Sequence, residues 1–205
     1  MPTVSDSGKA DYYGLDPHPF FKRVIDRLPA GRLLLVGEVA GRYATYATEA
    51  GWQVHTLVFD AEDKQRTDAQ LRQEQSDSTS SLYQAGQPLC PGQEFDAAIL
   101  LFVQLPQEAR RPLHHALIEC LSPQGGNLYL LAYSQNQPQG TRAPMPQIRY
   151  SEKELVDDFK GLQIDLLQEE EEKIPATKEL VKLLQLSAVR NLHHSSDSVS
   201  LSLKG

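Results

Sequence analysis

A short apolar run, a turn with two glycines and a helix-compatible stretch stand in the first quarter of the chain. Residues 33–36 form an unbroken apolar run, which is typical of a parallel strand covered on both faces. Gly37 and Gly41 flank the following turn. Residues 41–50 are compatible with a short helix, and 54–59 are rich in β-branched and apolar side chains. A strand, a glycine turn and a helix N-terminus in this order are typical of a site for the polar end of a nucleotide-like ligand.

The rest of the chain alternates between strand-like and helix-like patterns. Residues 16–28 carry apolar side chains at helical spacing, with Asp16 placed to cap the helix and Pro17 in its first turn. Ser151 and Glu154 form the capping-box pattern S-x-x-E. The same patterns predict strands at 82–85, 96–103, 127–133, 162–167 and 199–203, and helices at 61–75 (weak and solvent-facing), 106–121, 151–159 and 177–189.

Alternating strands and helices predict one doubly wound α/β domain that spans residues 1–205. Residues 1–10 are small and polar, and we expect them to be flexible. The final strands are joined by short connections, which predicts that part of the sheet is antiparallel. The four glutamates at 169–172 are expected to form a solvated stretch at a sheet edge, where their charge discourages pairing with another strand.

Charge and composition argue against several classes of function. The formal net charge is −7 and no cluster of Lys and Arg occurs, so binding of nucleic acid through phosphate contacts is not expected. Cys90 and Cys120 are the only cysteines, and we expect no disulfide framework and a reducing compartment. No apolar run reaches the roughly 20 residues of a membrane span. The polar N-terminus lacks a signal-peptide pattern. A soluble cytoplasmic protein without membrane partners is the prediction.

The histidines and cysteines form no recognisable metal-binding pattern. His114 and His115 are adjacent in a predicted helix, where neighbouring side chains point about 100° apart, so they cannot easily share a metal ion. We expect both to face solvent. His193 and His194 precede the predicted last strand, and neither makes a zinc-ligand spacing with a cysteine.

Several short motifs occur in a fixed order over roughly residues 12–204. They are Y-G-L-D-P-H-P at 13–19, F-D at 95–96, L-P at 105–106, L-S-P-Q-G-G at 121–126, Y-S-Q-N-Q at 133–137 and G-T at 140–141. This ordered set resembles the class I S-adenosylmethionine (SAM)-dependent methyltransferases. More narrowly, it resembles the small enzymes of the tellurite-resistance and thiopurine methyltransferase type.

The resemblance implies a single Rossmann-like domain whose mostly parallel seven-stranded sheet has an antiparallel final strand. It implies SAM as cofactor and methyl transfer to a small-molecule acceptor, mainly by positioning and desolvation. No nucleic acid, membrane or metal is implied, no catalytic residue is identified, and a homodimer is left open. The implied cofactor-binding residues are Tyr13, Gly37, Glu38, Gly41, Asp60, Ala85 and Phe102, and the implied substrate-binding residues are Gln104 and Tyr133.

The glycine turn departs from the family pattern D-x-G-x-G-x-G. Leu35 stands at the acidic position and Val39 at the middle glycine, where valine tolerates positive φ poorly and adds bulk beside a ligand. The ribose-binding acid would fall at Val58, with Asp60 two residues later on the same side of the strand. Ala85 stands where an acid usually lies near adenine.

These departures leave two hypotheses in place. The chain is either a SAM-dependent methyltransferase or a protein of that fold that has lost SAM binding and acts as a binding or interaction module. An NAD-dependent oxidoreductase is a third and weaker hypothesis, because Gly37, Val39 and Arg42 do not complete the G-x-G-x-x-G fingerprint.

Overall fold

Helices and strands alternate along the residues that the computed structural model describes, namely 16–37, 41–73, 76–138 and 148–191. The helices are α1 (Pro19–Arg27), α2 (Arg42–Glu49), α3 (Ala61–Gln73), α4 (Gln107–Cys120) and α5 (Glu152–Asp158). The strands are β1 (Arg32–Val36), β2 (Gln53–Val58), β3 (Thr79–Leu82), β4 (Ala97–Leu101), β5 (Asn127–Tyr133), β6 (Gln163–Lys173) and β7 (Leu180–Val189).

The seven strands form one sheet in the order β3-β2-β1-β4-β5-β7-β6. Strands β1 to β5 are mutually parallel, and β7 runs antiparallel to both of its neighbours. The predicted fold class is therefore confirmed. Because β1 and β4 are neighbours while their crossovers lead to opposite halves of the sheet, the carboxyl ends of these two strands mark the topological switch point, where open α/β sheets bind ligands.

Two apolar layers enclose the sheet, which explains the unbroken apolar run in β1. Leu33 and Leu35 pack with α1 and α2 on one face. Leu34 and Val36 pack with α4 and α5 on the other face. All four side chains are fully buried, as expected of a central parallel strand.

The prediction of a helix at 177–189 is wrong, because β7 occupies this segment. Leu180, Leu184 and Ala188 are four residues apart, a spacing that fits one face of a helix and equally one face of a strand. Val181 and Leu183 face the opposite core layer, so both faces of the strand are buried. The final strand predicted at 199–203 lies outside the described residues.

Three smaller predictions also need correction. Helix α1 begins at Pro19 and is capped by His18, whose Nδ1 accepts the N–H of Phe20 at 3.1 Å, instead of by Asp16. Strand β3 lies earlier than predicted, because its polar residues pair with β2. Helix α3 is not wholly solvent-facing: it buries an inner face that is mostly polar and therefore shows no apolar period, formed by Asp63, Thr67 and Leu71.

Cys90 and Cys120 form a disulfide, which corrects the expectation that they are unpaired. The isolated bridge between Phe95 and Leu121 brings the β3–β4 connection alongside the end of α4. The sequence contexts of the cysteines carry no sign of this tertiary contact. Among the helices in the described ranges, none combines the length and the apolar character that crossing a membrane requires.

Candidate functional site

The two glycines that flank the turn after β1 both adopt a left-handed backbone conformation. Gly37 and Gly41 have φ values of +84° and +72°, which glycine adopts without strain. The N–H of Gly37 donates to the carbonyl of Leu57 at 3.0 Å, and the carbonyl of Gly41 accepts the N–H of Thr45 at 2.8 Å. The turn is thus fixed to β2 on one side and to the first turn of α2 on the other. Glu38, predicted to contact the cofactor, lies outside the described residues.

Protein side chains fill the space beside both glycines. A Cβ atom at Gly37 would lie 2.8 Å from Cγ2 of Val103 and 3.5 Å from the ring of Phe59. A Cβ atom at Gly41 would lie 2.6 Å from Cγ of Gln70 on α3. The glycines therefore allow close packing inside the protein as well as the positive φ of the turn.

Asp60 follows β2 and caps helix α3. Its Oδ1 accepts the N–H of Asp63 at 2.7 Å. Asp63 itself is buried and paired with Arg66. Burial and the adjacent Asp60 raise the pKa of the Asp63 carboxyl. Val58, at the position of the family's ribose-binding acid, is buried and apolar.

Aromatic side chains meet where β4 and β5 end. Phe102 has a φ of +53°, unusual for a residue other than glycine, and its N–H donates to the carbonyl of Leu131 at 2.8 Å. Its ring centroid lies 5.1 Å from that of Tyr133 and 5.8 Å from that of His18. His18 in turn contacts Oε1 of Glu172 through Nε2 at 2.8 Å. The N-terminal cap of α1 is thereby joined to the end of β6.

The structure places most of the predicted site residues at one edge of the sheet. Those at or just after the carboxyl ends of β1, β2, β4 and β5 are Gly37, Gly41, Asp60, Phe102, Gln104 and Tyr133. Ala85 is exposed in the β3–β4 connection. Tyr13 lies outside the described residues. The assignment of these residues to a cofactor or a substrate stays a prediction. Within the described ranges, no three His, Cys, Asp or Glu side chains converge as metal ligands.

A buried ionic network behind the β4 loop was not anticipated from the sequence. Arg110 donates through Nε to Oδ2 of Asp158 at 2.8 Å, and His114 Nδ1 lies 3.0 Å from the same oxygen. Arg110, His114 and Asp158 are at most 2% exposed. Exposed Arg111 adds a contact to Asp158 at 3.0 Å, and Glu154 lies 3.4 Å from Arg110. This set of five residues is called the α4–α5 network below.

The α4–α5 network corrects the prediction that His114 faces solvent, although His115 is indeed exposed. Burial lowers the pKa of His114, and the hydrogen bond to Asp158 only partly opposes this effect. Burial would raise the pKa of Asp158, but His114 and Arg110 outweigh it and lower the pKa to about 2. A signal was present: Arg110 and His114, four residues apart, fall on the apolar stripe of α4 that carries Leu113 and Leu117.

Comparison with known proteins gives matches in structure only. No family model and no curated protein sequence matches the chain. TehB from Haemophilus influenzae superimposes with a TM-score of 0.68 at 16% identity, over 84% of this chain and 62% of the TehB chain. The chain thus spans less than two thirds of the length of TehB.

Two further structures widen the comparison. The N-methyltransferase NodS from Bradyrhizobium japonicum WM9, in complex with S-adenosylhomocysteine (SAH), matches with a TM-score of 0.63 at 15% identity, over 91% of this chain and 93% of NodS. The [4+2]-cyclase SpnF matches with a TM-score of 0.66 at 15% identity, over 84% of this chain and 80% of SpnF. Identities this low establish the fold alone. The described residues have the fold of the class I SAM-dependent methyltransferases.

Proposed function

We propose that the chain is a methyltransferase-like protein that binds SAM at the carboxyl edge of its sheet and transfers the methyl group to a small-molecule acceptor. The observation that carries the proposal is the turn between β1 and α2, where Gly37 and Gly41 both have positive φ. Ligands of this kind of sheet bind outside the carboxyl ends of the strands at the switch point. NodS, a structure of the same fold, is bound to SAH.

We expect the two glycines that flank the turn to accommodate the methionine end of SAM. Glycines let a ligand approach the backbone closely, and the N-terminus of α2 favours a carboxylate. Asp60 is the acid nearest the end of β2 and the candidate partner of the ribose hydroxyls. SAM supplies an electrophilic methyl group on its sulfonium. Phe102, predicted to lie beside the cofactor, would exclude water. Gln104 and Tyr133 would orient the acceptor, so that rate acceleration comes from proximity and alignment.

A second candidate is a protein of this fold that no longer binds SAM and serves as a binding or interaction module. Val103 and Gln70 occupy the space beside the two glycines. Val58 is buried where an acid is expected, and Asp60 already caps α3. The match to a [4+2]-cyclase is consistent with the rule that one fold supports different chemistries.

Titration calorimetry with SAM and with SAH tests the first candidate. We expect a one-to-one complex with a micromolar dissociation constant for each ligand. A folded sample that gives no heat at millimolar ligand would overturn the proposal and leave the second candidate.

A reversion experiment then tests the placement of the site. The double change Val39→Gly and Val58→Asp restores the two family residues, and we expect it to tighten SAH binding because it adds a ribose acceptor and removes bulk. Val156→Asp is the matched control, since it adds the same charge at an exposed position of α5, with 46% exposure. If neither the native chain nor the double variant binds SAH, the site has been placed wrongly.

A further inference from the structure

The hydroxyl of Tyr150 contacts the backbone beside Gln104. It donates a hydrogen bond to the carbonyl of Val103 at 2.7 Å. The backbone of Leu105 acts on the same hydroxyl and partly opposes the rise in its pKa that burial causes. Tyr150 is 1% exposed. A single buried hydroxyl therefore contacts the segment that contains the one polar side chain between Phe102 and Leu105.

The backbone of Tyr150 makes a second connection, to the end of β5. Its N–H donates to the carbonyl of Tyr133 at 2.8 Å, and its carbonyl accepts the N–H of Gln135 at 2.9 Å. Tyr150 thus connects the segment next to Gln104, through its hydroxyl, with Tyr133, through its main chain. We propose that Tyr150 is a positioning residue that fixes the loop 102–105 relative to the end of β5 and so sets the geometry of the acceptor side of the site.

The loop 102–105 needs such support. Phe102 has a φ of +53°, and a bulky residue in this conformation is strained. Strained backbone persists only where the surroundings over-determine it, and it occurs often at functional sites. Here the N–H of Phe102 is bound to Leu131, and the next carbonyl, that of Val103, is bound to Tyr150.

The α4–α5 network holds the Tyr150 ring. The guanidinium of Arg110 lies 4.9 Å from the ring centroid, and the imidazole of His114 is stacked at 6.4 Å. Asp158 contacts both of these groups through Oδ2. Buried ions are costly to desolvate, and well-packed apolar residues would hold two helices together at least as well. The network is explained if its role is to orient Tyr150.

The term acceptor side rests on the proposed function, whereas the role of Tyr150 in the loop 102–105 does not. The test therefore uses neither SAM nor an acceptor. Tyr150→Phe removes only the hydroxyl and keeps the ring for Arg110. We expect amide hydrogen exchange at Leu105 to accelerate by about tenfold or more, with little change at Ile99 and Leu100 in β4. The side-chain amide resonances of Gln104 should shift in the ¹⁵N–¹H spectrum.

Tyr129→Phe is the matched control, because it removes the hydroxyl of a half-buried tyrosine on β5. If Tyr150→Phe alters Leu105 exchange and the Gln104 resonances no more than this control does, the proposal is wrong. Should Tyr150→Phe fail to fold, Arg110→Lys provides the test, since it keeps the charge and loses the planar stack. We expect faster Leu105 exchange in that variant too, and an unchanged rate would overturn the proposal. If SAM does not bind, the role inferred for Tyr150 is unaffected. If Tyr150→Phe leaves the loop unchanged, the proposed function is unaffected.

Discussion

Two regions of the carboxyl edge differ in what the fold keeps there. The two glycines that flank the turn after β1 have positive φ, yet Leu35 and Val58 are buried apolar residues where the class I methyltransferase pattern has acids. The α4–α5 network, behind the β4 loop, contains three polar side chains that are almost sealed from water, namely Arg110, His114 and Asp158. Burying charge is expensive, whereas an apolar side chain at the end of a strand is not. The comparison indicates that buried polar structure is concentrated behind the β4 loop, whereas the positions compared near the β1 turn, Leu35 and Val58, are apolar.

Removing Asp158 should have the largest effect. Asp158→Ala leaves Arg110 and His114 buried without their shared partner, and we expect a loss of about 3–5 kcal/mol in unfolding free energy. Urea denaturation followed by circular dichroism measures this loss. Asp157→Ala, at the exposed neighbouring position, is the control and should change stability by less than about 0.5 kcal/mol. A loss under about 1 kcal/mol for Asp158→Ala would break the contrast between the two regions.

A substitution at Gly37 tests whether the space beside the β1 turn is filled by protein side chains. Gly37→Ala adds a Cβ at a φ of +84° and 2.8 Å from Val103, so we expect a loss of about 2–3 kcal/mol. Gly86→Ala is the control, because Gly86 has a φ of +82° and no atom within 4 Å of the added Cβ. Gly86→Ala should therefore lose only about 1 kcal/mol of unfolding free energy, which is the cost of the positive φ alone. Equal losses in the two variants would mean that the space beside Gly37 is free for a ligand.

Acid should weaken the protein through the α4–α5 network. The pKa of His114 is lowered by burial, and that of Asp158 is lowered to about 2. Both groups therefore bind fewer protons in the folded than in the unfolded state. Stability is full above about pH 6.5 and falls as the pH decreases, first through His114. Asp158 then contributes a further loss of about 2 kcal/mol between about pH 4 and pH 2.

Calorimetric melting temperatures between pH 7 and pH 3 measure this dependence. His114→Gln should flatten the decline just below pH 6.5, and His115→Gln, at an exposed position, should not. A smaller decline should remain in His114→Gln, because burial also lowers the pKa of His55. Identical pH profiles for the two variants would show that His114 does not contribute to acid sensitivity.

Periodicity predicted most of the fold because it reports directly on burial. The apolar run of β1 and the apolar stripe of α4 could be found without coordinates, and the order of motifs indicated the fold to which both belong. Strand β7 could not be separated from a helix, since residues four apart share a face in both structures. The position of strand β3 was predicted too late in the chain, because an edge strand of polar residues carries no apolar alternation.

The sequence could predict which residues of the candidate site lie at the same edge of the sheet. Residues that follow the carboxyl ends of neighbouring parallel strands must share one edge, so Gly37, Asp60 and Phe102 could be grouped from the sequence. Their contacts could not, because Val103 and Gln70 reach the glycines from distant segments. The α4–α5 network was missed for the same reason: its charges are matched only between helices more than thirty residues apart.

The smallest expected effect separates the two roles of Asp60. Asp60→Ala removes the cap of α3 and should cost about 1 kcal/mol, while Asp60→Asn should cost almost nothing because Asn caps helices as well as Asp. If Asp60 also binds the ribose hydroxyls of SAH, Asp60→Asn should weaken SAH by about tenfold or more at unchanged stability, since charged hydrogen bonds are the stronger ones. An unchanged SAH affinity in Asp60→Asn would leave Asp60 as a helix cap alone, and SAH would then be bound without an acid from the end of β2.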